Sequence, residues 1–241
     1  MQRYKRVLLK LSGEALSNHQ GGSILSIEML KKYARAVQKI HAMGVEVAIV
    51  VGGGNIWRGK LAQEMGMERS TADYMGMLGT IINALALQSI FEQMGMQTRV
   101  QTALQVNSVA EPYIRRRALR HMEKGRVMIF GGGNGIPYFS TDTTAALRAA
   151  ELSADCILMA KNGVDGVYSS DPKNDPNATL LSEISFMDIL NRDLKVLDGT
   201  AITLCMENNI DIVVFNLDNE DNLVRIVNGE KIGTHIYKKG E

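Results

Sequence analysis

A chain of 241 residues, 45% hydrophobic and 22% charged, is long enough to bury a full core, and its composition is that of a globular protein. Its net charge of +1 excludes a general attraction to nucleic acid or anionic lipid, so a polyanionic ligand must be met by local clusters. The first apolar run is interrupted by Lys10, too short and too charged for a signal peptide or a membrane span, and Cys156 and Cys205 lack the spacing of a metal site or a disulfide framework. These features lead us to expect one domain over residues 1–241, a cytoplasmic location, and no nucleic-acid or membrane partner.

In chain order, Arg6 to Leu11 reads as the first, central strand, and it ends on Lys10, Leu11, Ser12 and Gly13. An ammonium, a hydroxyl and a bare backbone at a strand end form a compact set of donors for phosphate oxygens. The same lysine could equally lie on a solvated strand face. Ala15 to Ser26 is polar and glycine-containing and reads as a loop. Ser26 is a plausible N-cap for a helix from Ile27 to Met43, stopped by Gly44. The apolar run 47–51 follows, so strand, helix and strand make a crossover unit and a parallel sheet covered on both faces is expected.

That second strand empties into Gly52-Gly53-Gly54-Asn55-Ile56-Trp57-Arg58. Glycines at a strand end let backbone N–H groups converge on an anion. Lys60 to Arg69 is mixed and rich in methionine. Ser70 or Thr71 can cap a long helix to about Gln93, with Met75, Leu78, Ile81, Ile82, Leu85 and Ile90 as its inward stripe and Asp73 and Tyr74 in its first turn. Thr98 to Ala103 reads as a strand and Glu111 to Lys124 as a helix whose Arg115, Arg116, Arg117 and Arg120 make a solvated face or a subunit contact rather than a nucleic-acid site. His121-Met122-Glu123 resembles half of a zinc-deaminase motif but lacks the cysteine pair, and His19, His41 and His235 are isolated.

The grammar of the first glycine mouth returns at Val127-Met128-Ile129-Phe130, which runs into Gly131-Gly132-Gly133-Asn134-Gly135 and then, through Ser140 and Thr141, into a helix Ala145 to Leu152. Hydroxyls and amides at a helix start suit an anion. Asp155 to Ala160 reads as a strand, followed by a long polar loop to Asn177. The remainder alternates: a short helix near Phe186 to Leu190, a helix Gly199 to Asn208, a strand Ile210 to Phe215, a helix Asn219 to Val227 and a strand near Thr234 to Tyr237.

Gly54 to Lys60 matches the start of a P-loop, but Leu61 replaces the hydroxyl that would reach Mg²⁺, and Trp57 stands where the dinucleotide fingerprint needs its third glycine. No nucleophile is paired with a base. Two phosphate mouths, a strand-end lysine and scattered aspartates are the inventory of phosphoryl transfer, which needs positioning and charge stabilisation without a covalent intermediate. Phosphorylation of a small carboxylate or carbamate to an acyl phosphate, and nucleotide binding without turnover, remain as alternatives.

The chain resembles the bacterial-type UMP kinases (uridylate kinases) of the amino acid kinase superfamily, essentially end to end. The resemblance rests on residues 10–16, Gly52-Gly53-Gly54-Asn55 with Arg58-Gly59, Asp73-Tyr74-Met75-Gly76-Met77, residues 134–142, Val164-Asp165-Gly166-Val167-Tyr168 with Asp171-Pro172, and residues 194–198. It implies a three-layer αβα sandwich with a mostly parallel central sheet, assembled as a homohexamer, which transfers the ATP γ-phosphoryl group to UMP with Mg²⁺ and has GTP and UTP as effectors. Lys10, Arg58, Asp142 and Asp198 are then the catalytic set, with no residue assigned as a metal ligand. Lys10, Leu11, Ser12, Gly13, Gly54, Arg58, Asn162, Tyr168 and Asp171 match ATP positions. Gly53, Asp73, Asn134, Gly135, Ile136, Pro137, Tyr138, Phe139, Ser140 and Thr141 match UMP positions. The loop Asn18 to Leu25, where GTP activation is attributed, carries Gly21-Gly22-Ser23 in place of the spaced glycines of many relatives.

Overall fold

A computed structural model describes residues 2–17, 22–161, 163–172 and 174–239. Part of the loop 18–25 and the ATP-matching Asn162 lie outside the described residues, as does His19. Strand β1 (Arg6–Leu11) leads through a single 3₁₀ turn (Gly13–Leu16) to α1 (Ile27–Ala42) and β2 (Glu46–Val51). The Ser26 hydroxyl accepts the Met29 N–H as N-cap, and Gly44 adopts φ +85°, a left-handed stop that lacks a steric penalty only for glycine.

Next come α2 (Gly59–Glu64), α3 (Arg69–Gln93), β3 (Thr98–Thr102), β4 (Glu111–Pro112), α4 (Arg115–Glu123), β5 (Val127–Gly131) and α5 (Thr141–Leu152). The chain continues through β6 (Cys156–Lys161), β7 (Val167–Tyr168), β8 (Leu180–Leu181), β9 (Glu183–Ser185), α6 (Phe186–Asn191), α7 (Gly199–Glu207), β10 (Asp211–Asn216), α8 (Asp221–Val227) and β11 (Thr234–Tyr237).

Among the described residues, nine strands form one sheet in the order β4-β3-β5-β2-β1-β6-β10-β11-β9. Every neighbouring pair is parallel except β10 with β11. β7 and β8 form a separate antiparallel ribbon. Alternation along β1 sorts the two cores. Val7, Leu9 and Leu11 face a cluster that includes Leu30 and Val37 of α1, Leu87 and Phe91 of α3 and Leu223 of α8. Leu8 faces the opposite cluster, with Ala118 of α4, Ala146 and Ala149 of α5, Ile189 of α6 and Ile202 of α7. Helices therefore cover both faces, the three-layer sandwich expected of a parallel sheet.

The structure corrects the sequence reading at several points. Glu111–Pro112 is edge strand, because it pairs with Gln101–Thr102, and the helix begins only at Arg115. That helix buries Ala118 and Met122 alone, leaving its arginines on the solvent side, where Arg120 pairs with Glu123 at 3.1 Å. The mixed stretch after Arg58 contains α2. α3 starts at Arg69, so neither Ser70 nor Thr71 caps it and Asp73 falls beyond its first turn. Its inward face agrees in part: Ile81 is buried and Leu85 and Ile90 pack partly buried against the core, as expected, and Ala72, Met77, Thr80, Asn83, Ala84, Leu87 and Phe91 are buried as well, whereas Leu78 and Ile82 are exposed. The length and apolar composition of α3 would suffice for a membrane span. It is instead a core helix, packed on β5, β3 and α1 with the polar Asn83 fully buried.

α5 begins at Thr141, capped by Ser140, four residues earlier than Ala145. Cys156 and Cys205 are free and buried, and burial pushes the Cys205 thiol up to about 12, so neither is reactive at neutral pH. His121 hydrogen-bonds Glu111 at 3.1 Å and accepts from Arg126 at 2.8 Å. No cluster of three metal-binding side chains occurs among the described residues.

Candidate active site

β5, β2, β1 and β6 are adjacent and parallel, so their carboxyl ends open on one edge of the sheet, where open α/β folds bind ligands. Both glycine mouths lie there. The first follows β2, and its Gly52 N–H donates to Leu11 C=O at 2.9 Å, tying it to the end of β1. Gly13 comes so close that a Cβ on it would stand 2.5 Å from Asn55 Oδ1, 2.6 Å from Gly52 O and 2.7 Å from Gly54 N. Asn55 is fixed in turn by Asn83, whose amide donates to Asn55 Oδ1 at 2.8 Å and to Gly52 O at 2.7 Å. The second mouth follows β5, with Gly132 and Gly133 at φ +77° and +54°, so this turn is left-handed.

Beside the first opening, at the end of β1, lies the Lys10 ammonium. It is nearly buried and pairs with Asp142 Oδ1 at 2.7 Å, which joins the end of β1 to the first turn of α5. Lys161, at the end of β6, is the second cation: burial lowers its pKa first, and the nearby Lys10 lowers it further against the opposing pull of Asp142. Two ammonium groups around one carboxylate leave an excess of positive charge where phosphates would meet.

Asp198 has a different task. It is the N-cap of α7, with Oδ1 accepting the Ala201 N–H at 2.9 Å and the Thr143 hydroxyl at 2.9 Å, while Oδ2 accepts the Ser140 hydroxyl. Burial alone would raise its pKa, but these hydrogen bonds outweigh that and hold it below the usual carboxylate range. The stability it contributes is therefore present above the unfolded value of about 3.9 and is lost as pH falls through the depressed native one. Asp198→Ala removes this cap and is expected to cost about 1–2 kcal/mol. Thermal denaturation should show a Tm lower by roughly 2–8 °C at neutral pH, with the gap closing in acid.

A cavity of ≈ 330 Å³ lies between the mouths, lined among others by Gly53, Gly54, Asp73, Asn134, Phe139 and Thr141. Trp57 Nε1 and Asn134 Oδ1, both belonging to residues that line it, are buried with no hydrogen-bond partner among the described residues. Buried polar atoms left open in this way are suited to a polar guest. At its rim, Tyr138 holds φ +73°, rare for a residue with a Cβ, and its N–H donates to Asp73 Oδ2 at 2.8 Å. The Arg69 guanidinium lies 4.8 Å from the Tyr138 ring centre. An adjoining opening of ≈ 640 Å³ runs from Arg69 and Tyr138 to Asp198 and Thr200.

Residues 5–216 match the amino acid kinase family. The chain belongs to that family. Among solved structures, this family member superposes on a UMP kinase from Bacillus anthracis with a TM-score of 0.95, at 44% identity over 98% of this chain and 97% of the other. A UMP kinase from Ureaplasma parvum gives a TM-score of 0.92 at 43% identity, over 98% of this chain and 100% of that one. A uridylate kinase from Archaeoglobus fulgidus gives 0.73 at 30% identity, over 98% and 100%.

Within this amino acid kinase, the residues picked out from sequence fall at several separate places. Gly53, Gly54, Asp73, Asn134, Ile136, Phe139, Ser140 and Thr141 line the main cavity. Tyr138 lines the adjoining one, while Gly135 and Pro137 line neither. Lys10, Leu11, Ser12 and Gly13 form the end of β1 and its turn, with the Ser12 hydroxyl accepting the Ala15 N–H at 3.3 Å. Arg58 is exposed, paired with Glu14 at 2.9 Å and donating from Nε to Gly54 O at 3.3 Å. Tyr168 and Asp171 lie apart, on the long loop after β6. Tyr168 is held in β7 against Leu180, and Asp171 accepts from Asn174 at 3.0 Å.

Sequence reasoning missed Lys161 and Asn83. The signal for Lys161 was present: like Lys10, it ends an apolar strand next to a glycine-containing loop. Asn83 gave none, since a single amide in an apolar helix is not distinctive.

Proposed function

We infer that this chain is a UMP kinase, transferring the γ-phosphoryl group of ATP directly to UMP to give UDP and ADP in pyrimidine nucleotide biosynthesis. The observation that carries the reading is one buried ammonium, Lys10, which ends the strand next to β2 and its glycine turn and pairs with Asp142 on the helix that follows the second glycine turn. A phosphate oxygen of UMP attacks the γ-phosphorus in line as its bond to the β-bridging oxygen breaks. A nucleoside monophosphate is mostly dianionic at pH 7, its second pKa being about 6. No general base is needed, in keeping with the site.

Lys10 and Lys161 would offset the charge that spreads over the equatorial oxygens, and Asp142 would hold the Lys10 ammonium in place. Gly13 and Gly54 give a phosphate close access to the backbone, and Arg58 is free to exchange Glu14 for the ATP phosphates. Tyr168, Asp171 and Asn162 would meet the adenosine. Asp73 and residues 134–141 would surround UMP. The donor set fits Mg²⁺, which takes one or two carboxylates and otherwise keeps phosphate and water ligands. Asp142 would hold the ion beside the phosphates, while the oxygens of Asp198 are taken by its cap bonds. When bound, the ion supplies neutralisation of phosphate charge. A single domain and cytoplasmic residence, expected from composition, belong to the same proposal, as do homohexameric assembly and response to GTP and UTP, which rest on the resemblance.

A coupled assay of ADP release with UMP, CMP, carbamate, aspartate and acetylglutamate tests it. Turnover with UMP is expected, and turnover with only a carboxylate or carbamate would refute it. Asp73→Ala should raise KM for UMP by about tenfold or more, since it removes a charged partner of the acceptor, and leave KM for ATP within about twofold. An ATP-selective defect would reverse the placement of the two nucleotides.

A further inference from the structure

Thr80 stands on the inner face of α3, where the helix passes both glycine mouths. Its hydroxyl accepts the Gly132 N–H at 2.7 Å and donates to Met77 C=O at 2.7 Å. A hydroxyl has one proton, and Met77 takes it, so a lone pair is left facing Gly132. The residue is buried, although it borders the cavity. On its other side, a Cβ built on Gly53 would lie 3.4 Å from the Thr80 methyl and 3.2 Å from its backbone nitrogen. One residue therefore stands against both mouths, hydrogen-bonded to the second and close enough to the first that a side chain at position 53 would meet it.

The Gly132 N–H is the first donor of a left-handed turn, and Gly133 and Asn134, which follow it at once, line the main cavity. Fixing that N–H fixes the peptide plane from which the rest of the turn departs. Asp73 and Asp142, assigned roles above, lie on helices, as does Thr80, which is on α3 with Asp73 and lines the same cavity. Unlike them, Thr80 holds the backbone of the second mouth directly.

We propose that Thr80 is a positioning residue for the phosphate acceptor. Its hydroxyl orients the 132–134 turn against the phosphorylated end of the nucleoside monophosphate. This rests on the reading of the chain as a UMP kinase. Thr80→Val keeps the size and the methyl but removes the hydroxyl. Thr80→Ser keeps the hydroxyl and removes the methyl.

T80V is expected to raise KM for UMP by about tenfold, the scale of one buried N–H left without its partner, with KM for ATP within about twofold. T80S is expected to stay close to the parent chain for both nucleotides. In the protein without nucleotide, amide exchange at Gly132 should be faster in T80V than in T80S. Equal defects in T80S and T80V would assign the residue to packing and overturn the proposal, as would a parallel rise in both KM values or unchanged exchange at Gly132. If T80V does not fold, T80A gives the same comparison against T80S. Absence of UMP turnover in the parent chain would sink the functional reading alone, because the exchange comparison needs no activity.

Discussion

Lys10→Ala should lower kcat with ATP and UMP by about 10²–10³, the cost of removing one preorganised group that meets developing charge. The reason is positional. Lys10 ends β1, the strand flanked by β2 and β6, and its ammonium reaches Asp142 on the helix that follows the second mouth. Lys161 carries the other nearby cation, but its depressed pKa reflects a site already costly to charge. Loss of Lys10 removes a like charge beside it and should let Lys161 hold its proton more firmly, which softens the defect without restoring the lost geometry. Steady-state kinetics with both nucleotides varied measures the effect. Turnover within a few-fold of the parent chain would show that Lys10 has no part in the chemical step.

Gly13→Ala should be comparably damaging by a different route. The added carbon would meet Gly52 O at 2.6 Å and Gly54 N at 2.7 Å, both backbone atoms of the first mouth, and Asn55 Oδ1 at 2.5 Å. Asn55 cannot swing away freely, since it also donates to Ile24 O at 2.8 Å and pairs with the buried Asn83. The turn must therefore move. Overpacking of this kind costs about 1–3 kcal/mol in stability, and a displacement of about 1 Å at a phosphate site can cost about 10² in rate. We expect kcat/KM for ATP to fall by about that factor together with a lower Tm. Parent-like ATP kinetics in the variant would mean that the close approach of these two turns is not needed for the donor.

The parts of this architecture that were legible in the sequence were those where local chemistry and tertiary role agree. Ser26 and Gly44 bracket α1 because capping and left-handed stops are local events. β2 and β5 read as buried strands because both faces are covered and no polar residue interrupts them. The mouths were visible because glycine is placed where backbone must approach backbone.

Legibility failed where burial is not one-sided. α3 has small residues, Ala72, Gly79 and Ala84, on its inner face and large ones, Leu78 and Ile82, on its outer face. Apolar periodicity therefore placed Ile81, Leu85 and Ile90 correctly but also drew in Leu78 and Ile82, which face outward. Edge strands of two or three residues, such as β4 and β9, carry too few positions for any period to register. Within the site, the sequence marked the chemical groups at strand ends but not the supports behind them. Asn83 and Arg148 are buried polar residues whose meaning lies in partners far along the chain or across the core. Arg148, for instance, lies against the rings of Tyr113 and Phe130 while pairing with Glu151 at 2.6 Å.

The β7–β8 ribbon is held from below by the Thr234 hydroxyl, which accepts the Val167 N–H at 2.8 Å and donates to Leu181 C=O at 2.5 Å. Thr234 lies 53 residues after Leu181, the last residue of the ribbon it binds. On a ribosome adding about 5–20 residues per second, the completed ribbon would emerge roughly 3–11 s ahead of the hydroxyl that anchors it. A nascent chain would thus complete both glycine turns well before it could steady the loop that carries Tyr168, so the adenosine contacts proposed for that loop would be the last part of the site to be secured during synthesis.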